Sequence, residues 1–163
     1  PLKEVLAQGV RVLDFALYSV NGNIIVGANS NDSNNINGTY NGLSLTGKNS
    51  VFDTINSYAF SHPCPNPSDP LFLHFRIKSN IRPRKFYQKL TQHIKNAFGG
   101  RLLPPKYGYE GHSGSKGGIN LAREPILNLM NHVIIMCHQE NNNFRGTDFE
   151  EYIKTNTNTS IIS

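Results

Sequence analysis

The chain has 163 residues, of which 37% are hydrophobic and 17% charged, and its formal net charge is +5. This length predicts one domain with a substantial core, and the composition excludes a disordered chain. The excess of positive charge favours an anionic partner, such as a nucleic acid, a lipid headgroup or a phosphorylated ligand, without choosing among them. No apolar run approaches the roughly 20 residues that span a bilayer, so we predict no transmembrane helix.

The two cysteines, Cys64 and Cys137, are too few for a disulfide scaffold and lie far apart in the sequence. They favour a reducing compartment, and the sequence carries no recognisable secretion signal. We therefore expect an intracellular protein, either cytoplasmic or peripheral to a membrane. The chain opens at Pro1 rather than at a methionine, which indicates part of a longer polypeptide.

Hydrophobic spacing, caps and turn residues predict several short elements in the first half of the chain. The first strand has a nearly continuous apolar run, which is typical of a strand buried on both faces. The predicted elements are the helix Pro1–Gln8, the strands Val10–Leu17 and Asn23–Gly27 around an Asn21-Gly22 turn, the extended segment Thr39–Leu45, and the helix Asn49–Phe60 with Ser50 as its N-cap.

The second half predicts a similar alternation of strands and helices. Its elements are the strand Leu71–Lys78, the helix Arg84–Phe98, the short helix Pro125–Met130, the strand Val133–Cys137, the helical turn Asp148–Lys154 and the frayed tail Thr155–Ser163. This alternation predicts an α/β fold in which helices cover a parallel sheet, either doubly wound or part of a (β/α)8 barrel. No G-x-G-x-x-G follows a predicted strand, which argues against a dinucleotide site.

Charged residues near the ends of the two longer strands are the first candidates for a site. Asp14 is predicted near the carboxyl end of the opening strand, where a buried carboxylate needs a partner, a metal or a solvated cleft. Arg76 and Lys78 end the strand that begins at Leu71, and His74 shares their face. These cations suit a phosphate-bearing ligand, and a structural ion pair between Arg76 and Asp14 is an equally good interpretation.

Other patterns give weaker signals. The basic residues from Lys78 to Lys95 surround Phe86 and Tyr87 as in a nucleic-acid site, but the two aromatic residues fall on the apolar stripe of a helix. We therefore favour a solvated basic face over nucleic-acid binding. Asn37-Gly38-Thr39 favours a plain turn. Five residues could suggest zinc but lack its usual ligand spacing: His62, Cys64, His112, Cys137 and His138.

Seven segments follow one another in an order found in a known family. They are Gly9–Asp14, Tyr40–Thr46, Val51–Phe60, Pro70–Arg76, Phe98–Pro104, Leu129–Cys137 and Phe144–Ile153. Their order resembles the X region of phosphatidylinositol-specific phospholipase C, and the last segment is similar to divergent versions in large DNA viruses. The resemblance implies a TIM-type (β/α) barrel. Residues 1–154 would form an incomplete part of it, without the first and the later strands, and residues 155–163 a flexible tail.

The resemblance also implies a chemistry. The family cleaves a phosphodiester by attack of the inositol 2-hydroxyl, with two histidines as general base and general acid. The first histidine would lie upstream of Pro1, and the second falls on Asn41, whose amide cannot exchange a proton near neutral pH. Compared with the metal-dependent members, Asp14 keeps the first metal-ligand position, Ala16 removes the second and Arg76 replaces the third. We therefore expect no calcium and no other cofactor.

Arg76, Lys78 and His138 are the candidate phosphate-binding residues, and the resemblance implies that Asn41 and Arg76 occupy catalytic positions. We interpret the chain as a phosphoric diester hydrolase of the phospholipase C type that acts on phosphoinositides. We expect impaired catalysis because of Asn41 and Ala16. The alternative is a non-enzymatic module that binds phosphoinositide, or a structural pseudoenzyme. The expected partners are a phosphoinositide or anionic membrane surface and the remainder of a longer polypeptide, and not nucleic acid.

Overall fold

The computed structural model describes residues 1–27, 43–78, 83–108, 119–137 and 144–154. Within these ranges the α-helices are α1 (Leu2–Ala7), α2 (Val51–Tyr58) and α3 (Pro83–Phe98). The strands are β1 (Val12–Val20), β2 (Asn23–Gly27), β3 (Leu43–Ser44), β4 (Leu71–Ile77), β5 (Val133–Cys137) and β6 (Ile153–Lys154). None of the helices in these ranges is long and apolar enough to cross a membrane.

The strands form one six-stranded sheet in the order β3-β2-β1-β4-β5-β6. Strands β1, β4, β5 and β6 are parallel neighbours, whereas β2 and β3 add to the sheet in antiparallel fashion. The hairpin predicted around Asn21-Gly22 is therefore confirmed, and it gives the predicted parallel sheet an antiparallel edge. The reason is the two-residue turn at Asn21 and Gly22, whose positive φ angles of 51° and 78° suit a tight hairpin. Over the described residues the sheet is open and does not close into a barrel.

The two faces of the sheet pack differently. On one face, alternate residues of β1, β4 and β5 join the main core with α2 and α3, as Leu73, Phe75 and Ile135 do. On the opposite face, Ile134 joins a smaller cluster with residues of the 103–129 segment, and Phe72 packs against it. Because side chains alternate along a strand, the residues between the core positions all face the side of the smaller cluster.

Strand β1 differs from its prediction in two respects. It runs on to Val20 because the hairpin extends it beyond Leu17, so Asp14 is its third residue and lies near its beginning. The strand is also not buried on both faces, since Val12 is 64% exposed. The expected position of Asp14 at the carboxyl end of the strand is therefore wrong, although the residue still lies in the parallel part of the sheet.

Two later elements also differ. The segment from Asp148 to Lys154 is predicted to be one helical turn, but it forms a 3-10 helix at Asp148–Glu151 and then β6. The short helix predicted from Pro125 is a 3-10 helix over Ile126–Asn128. Both pieces are too short for hydrophobic periodicity to identify them, so their conformation depends on packing.

The predicted features of the two longer helices are confirmed. The Ser50 hydroxyl accepts a hydrogen bond from the Asp53 N–H at 3.2 Å and caps α2. Phe86 and Tyr87 are 5% and 1% exposed, so both belong to the core, as the apolar stripe of α3 predicts. Lys89 in α3 donates to the carbonyl of Gly22 and so attaches the helix to the β1–β2 hairpin.

Arg11 joins three segments just before β1. Its guanidinium donates to the carbonyl oxygens of Ala59 at 2.6 Å, Asp69 at 2.5 Å and Pro70 at 3.4 Å. Its carbon skeleton and charge lie over the Phe60 ring, 5.1 Å from the centroid. The side chain therefore satisfies carbonyl groups that follow α2 and precede β4, and it holds both segments against β1.

We expect Arg11→Met to lower the free energy of unfolding by about 2–4 kcal/mol, because three half-buried carbonyl groups lose a charged donor. Urea unfolding monitored by circular dichroism measures this loss. Arg101→Met is the matched control, since Arg101 lies over the same ring at 4.1 Å but has one acceptor among the described residues, Asn131 O at 3.3 Å. Equal losses in the two variants would contradict the assigned role of Arg11.

Candidate functional site

Asp14, His74 and Arg76 form a cluster on the sheet face opposite α2 and α3. The parallel register places Asp14 directly beside His74 on β4, and Arg76 follows two residues later on the same face. His74 Nδ1 lies 2.8 Å from Asp14 Oδ1. Arg76 Nε lies 3.0 Å from Asp14 Oδ2 and 3.2 Å from Oδ1. The predicted ion pair between Asp14 and Arg76 is therefore confirmed, and His74 is a second partner of the same carboxylate.

The cluster is half-exposed, with side-chain exposures of 50% for Asp14, 34% for His74 and 36% for Arg76. Partial burial is the largest single influence on Asp14 and opposes its ionisation. The hydrogen bonds from His74 and Arg76, together with their charges, outweigh this effect and lower the pKa of the carboxyl group below its ordinary value. Asp14 is thus an anion held between two donors.

Two donor or acceptor groups of the cluster remain available. His74 contacts Asp14 through Nδ1, and within the described ranges no hydrogen bond reaches its other ring nitrogen, Nε2. Arg76 likewise uses Nε for Asp14, and none of the described residues accepts from its two terminal nitrogens. A guanidinium in this state can bind two oxygens of a phosphate. The imidazole can donate or accept one proton at Nε2.

Ala16 explains how Arg76 reaches Asp14. The two residues Ala16 and Arg76 are paired across the β1–β4 ladder, and Ala16 is 1% exposed. A methyl side chain leaves room for the arginine to lie across β1 toward Asp14. Ala16 offers no side-chain oxygen to a metal ion, and the Asp14 carboxylate already has contacts with two partners. Calcium prefers six or more oxygen ligands, so the described residues here do not fit this ion.

The site lies in a row that crosses four strands. Asp14, His74, Met136 and Lys154 are paired in turn across β1, β4, β5 and β6. Lys154 is 1% exposed, and its Nζ donates to Tyr152 O at 3.3 Å. Burial lowers the pKa of Lys154 to about 7. Lys154 is not among the predicted site residues, because its segment is predicted as a helical turn and no sequence signal indicates a strand there.

The other predicted site residues are distributed as follows. Lys78 follows β4 directly and is exposed, and its backbone N–H donates to Leu17 O at 2.9 Å. No described hydrogen bond or ion pair links its side chain to the cluster. Asn41 and His138 lie outside the described residues, as do Asn37 to Thr39 and His112. Among the described residues no group of three or more His, Cys, Asp or Glu side chains could hold a metal, and the buried residues Cys64 and Cys137 are not joined by a disulfide.

A surface pocket of about 400 Å³ lies between α2 and α3. Its lining includes Ser50, Asp53, Asn56 and His93. Ser50 and Asp53 already serve the α2 N-terminus, because the Asp53 carboxylate accepts from the Asn49 N–H at 2.9 Å. The pocket is on the helix side of the sheet and therefore does not open onto the Asp14 cluster.

Solved structures of phospholipases C resemble this chain in fold. The calcium-dependent phosphoinositol-specific phospholipase C from a Gram-negative Pseudomonas species is 19% identical, and the match covers 94% of this chain and 57% of that one, with a TM-score of 0.56. PLC21 from L. pealei is 18% identical over 82% of this chain and 14% of its own, with a TM-score of 0.52. The chain folds like part of these phospholipases C. The expectation of a phospholipase-C-like fold is confirmed at this level.

The chain spans just over half of the bacterial phospholipase C and about a seventh of PLC21. Comparisons with protein-family models and with curated proteins find no match. At these identities the likeness concerns the fold alone, so the likeness to viral X regions stays a prediction.

Proposed function

We propose that this chain forms part of a phospholipase-C-type phosphoric diester hydrolase that acts on phosphoinositides, and that its catalysis is slow. The observation that supports this proposal is the Asp14–His74–Arg76 cluster on one face of a phospholipase-C-like sheet. Arg76 offers its terminal nitrogens to the phosphate, and the described strands would belong to a larger barrel. Asn41 would stand where the family has its general acid, which accounts for slow turnover.

The proposed site works without calcium. Arg76 would supply part of the positive charge that a metal ion gives to a phosphorane-like transition state. A guanidinium placed beside Asp14 also competes with any cation for that carboxylate. Lys78 is proposed as a further phosphate ligand, because a cation directly after β4 would extend the anion-binding surface begun by Arg76. His138, the residue that follows Cys137 in the sequence, is proposed for the same role.

The second candidate is a module that binds phosphoinositide headgroups or an anionic membrane surface without cleaving them. Two differences from the catalytic family members favour this binding module: Ala16 has no carboxylate, and Asn41 is not a histidine. Both differences remove groups needed for cleavage, whereas Arg76, which would bind the phosphate, is present. Under this alternative Arg76 would still determine binding, and turnover would be zero. The two candidates therefore differ in product release and agree in the need for Arg76.

We expect the protein to release inositol phosphate slowly from phosphatidylinositol vesicles, at the same rate in calcium and in excess chelator. Arg76→Met should lower kcat/KM at least tenfold, because a phosphate contact is lost and the Asp14 carboxylate is left with one donor. Lys48→Met is the matched control, since Lys48 is exposed and has no described partner. Binding without release would favour the second candidate, and strong stimulation by calcium would contradict the proposed site.

A further inference from the structure

We propose that His74 is the general base of this site and that Asp14 is its positioning residue. The inference rests on the proposed function, since it assigns the proton transfer of that same reaction. It concerns a residue that the resemblance does not place in the catalytic set.

The hydrogen bond between His74 and Asp14 fixes the state of the imidazole. An ionised carboxylate can only accept hydrogen bonds, so His74 must carry its proton on Nδ1, which lies 2.8 Å from Asp14 Oδ1. In the neutral form of the ring the lone pair is therefore on Nε2. The Asp14 carboxylate keeps its hydrogen bond to Nδ1 when Nε2 takes up a proton, so it holds the ring in one orientation during the transfer.

Arg76 fixes the carboxylate in turn. Its Nε contacts both oxygens of Asp14, at 3.0 and 3.2 Å, and so holds the carboxylate in one orientation beside His74. The order Arg76–Asp14–His74 is a chain in which each group orients the next one. A base that is itself held by a third group has the general arrangement of an activated nucleophile site.

The row of paired residues next to His74, nearer the amino ends of the strands, is apolar, and the His74 ring is partly exposed. Phe72 on β4 is paired with Ile134 on β5, and both contribute to the small apolar cluster one row nearer the amino ends of the strands. The His74 side chain keeps 34% of its surface exposed. The ring is therefore partly open to solvent, and no described residue forms a hydrogen bond with Nε2.

The proposed step is balanced as follows. His74 Nε2 takes the proton of the attacking hydroxyl group as the bond between that oxygen and phosphorus forms. The bond between phosphorus and the leaving oxygen breaks, and this oxygen takes a proton from water, because Asn41 cannot give one. The imidazolium then returns its proton to the solvent. No group is oxidised or reduced, and no metal takes part.

This assignment predicts that the rate depends strongly on the leaving group. A base assists the attack, but nothing assists the departure of an alkoxide. A 4-nitrophenolate leaves without protonation, so a 4-nitrophenyl ester of inositol 1-phosphate should be cleaved much faster than phosphatidylinositol. The aryl ester is therefore the substrate on which the contribution of His74 is measured most directly.

We expect His74→Gln to lower kcat on the aryl ester by about 100- to 10,000-fold with little change in KM, because glutamine fills the site but cannot take the proton. Added imidazole should restore part of the activity of His74→Ala and none of that of His74→Gln, whose side chain occupies the space. Asp14→Asn should also lower kcat more than KM. His93→Gln is the matched control, since His93 lies in the pocket on the helix side.

Circular dichroism melts of each variant separate a loss of folding from a loss of the base, and His74→Asn provides a second substitution if glutamine destabilises the sheet. Wild-type kcat in His74→Gln, or no imidazole rescue of a folded His74→Ala, would overturn the assignment while the proposed function stands. Failure of the wild-type protein to cleave either ester would overturn the proposed function itself, and this inference with it.

Discussion

Replacing Lys154 by methionine should raise the free energy of unfolding at pH 7 by a few kcal/mol. Lys154 is 1% exposed, and its Nζ has one described acceptor, the Tyr152 carbonyl oxygen at 3.3 Å. Methionine has a similar length and carries no charge, so it keeps the packing beside Met136 and removes the cost of desolvation. An effect of this size is unusual for one substitution, because most substitutions destabilise.

The same variant should also change how stability depends on pH. Burial lowers the pKa of Lys154 to about 7 in the folded chain, from an ordinary value of 10.5. Between these two values the unfolded chain binds more protons than the folded chain, so wild-type stability should rise with pH across this window. The slope approaches about 1.4 kcal/mol per pH unit. Below pH 7 the full cost of burying the charge is present.

Urea unfolding at pH 6, 8 and 10 measures both effects. The difference in unfolding free energy between Lys154→Met and the wild type should be largest at pH 6 and should shrink toward pH 10. Lys85→Met is the matched control, because Lys85 is an exposed residue of α3. A constant difference between Lys154→Met and the wild type at all three values would show that Lys154 is not buried as a free base.

Replacing Asn41 by histidine should raise the turnover of phosphatidylinositol by about 100- to 10,000-fold, the usual contribution of one general acid or base. Asn41 lies outside the described residues, so the argument is chemical. An amide cannot protonate a leaving alkoxide, whereas an imidazolium can. The gain should be less than tenfold on the 4-nitrophenyl ester, whose leaving group needs no proton.

The comparison of the two esters makes this prediction specific. Asn23→His, at the exposed start of β2, is the control for a histidine added elsewhere. Equal gains on both esters would mean that the new side chain acts by binding rather than by proton transfer. No gain on either ester would mean that position 41 does not face the reacting phosphate.

The elements with strong local signals could be predicted from the sequence. The strands β2 and β5 have their predicted bounds, and Ser50 caps α2 as expected. Strand β6 could not be predicted, because its two residues form a strand only through pairing with Ile135 and Met136. The antiparallel pairing of β1 and β2 follows from the Asn21-Gly22 turn, whereas the addition of β3 could not be predicted, because its two residues form a strand only through pairing with Ile25 and Val26.

The site could be predicted in part. The face shared by His74 and Arg76 follows from strand alternation, and the pairing of Arg76 with Asp14 follows from the need to neutralise a partly buried acid. The bond between Asp14 and His74 depends on the β1–β4 register, which the sequence does not reveal. The burial of Lys154 depends on chain segments that pack over the sheet face, and such tertiary contacts leave no local pattern.

The parallel pairing of β1 and β4 has a consequence for the time course of folding. The β1–β2 hairpin closes across two residues and should form within microseconds, whereas the contact between Asp14 and His74 joins residues 60 positions apart. The chain loses the entropy of closing this long loop before the hydrogen bonds between β1 and β4 form, and this loss slows the folding of a parallel sheet. A partly folded chain would thus contain the hairpin and lack the carboxylate–imidazole pair. The contact between Asp14 and His74 would form when β4 pairs with β1. The His74 ring can therefore report this step in refolding experiments.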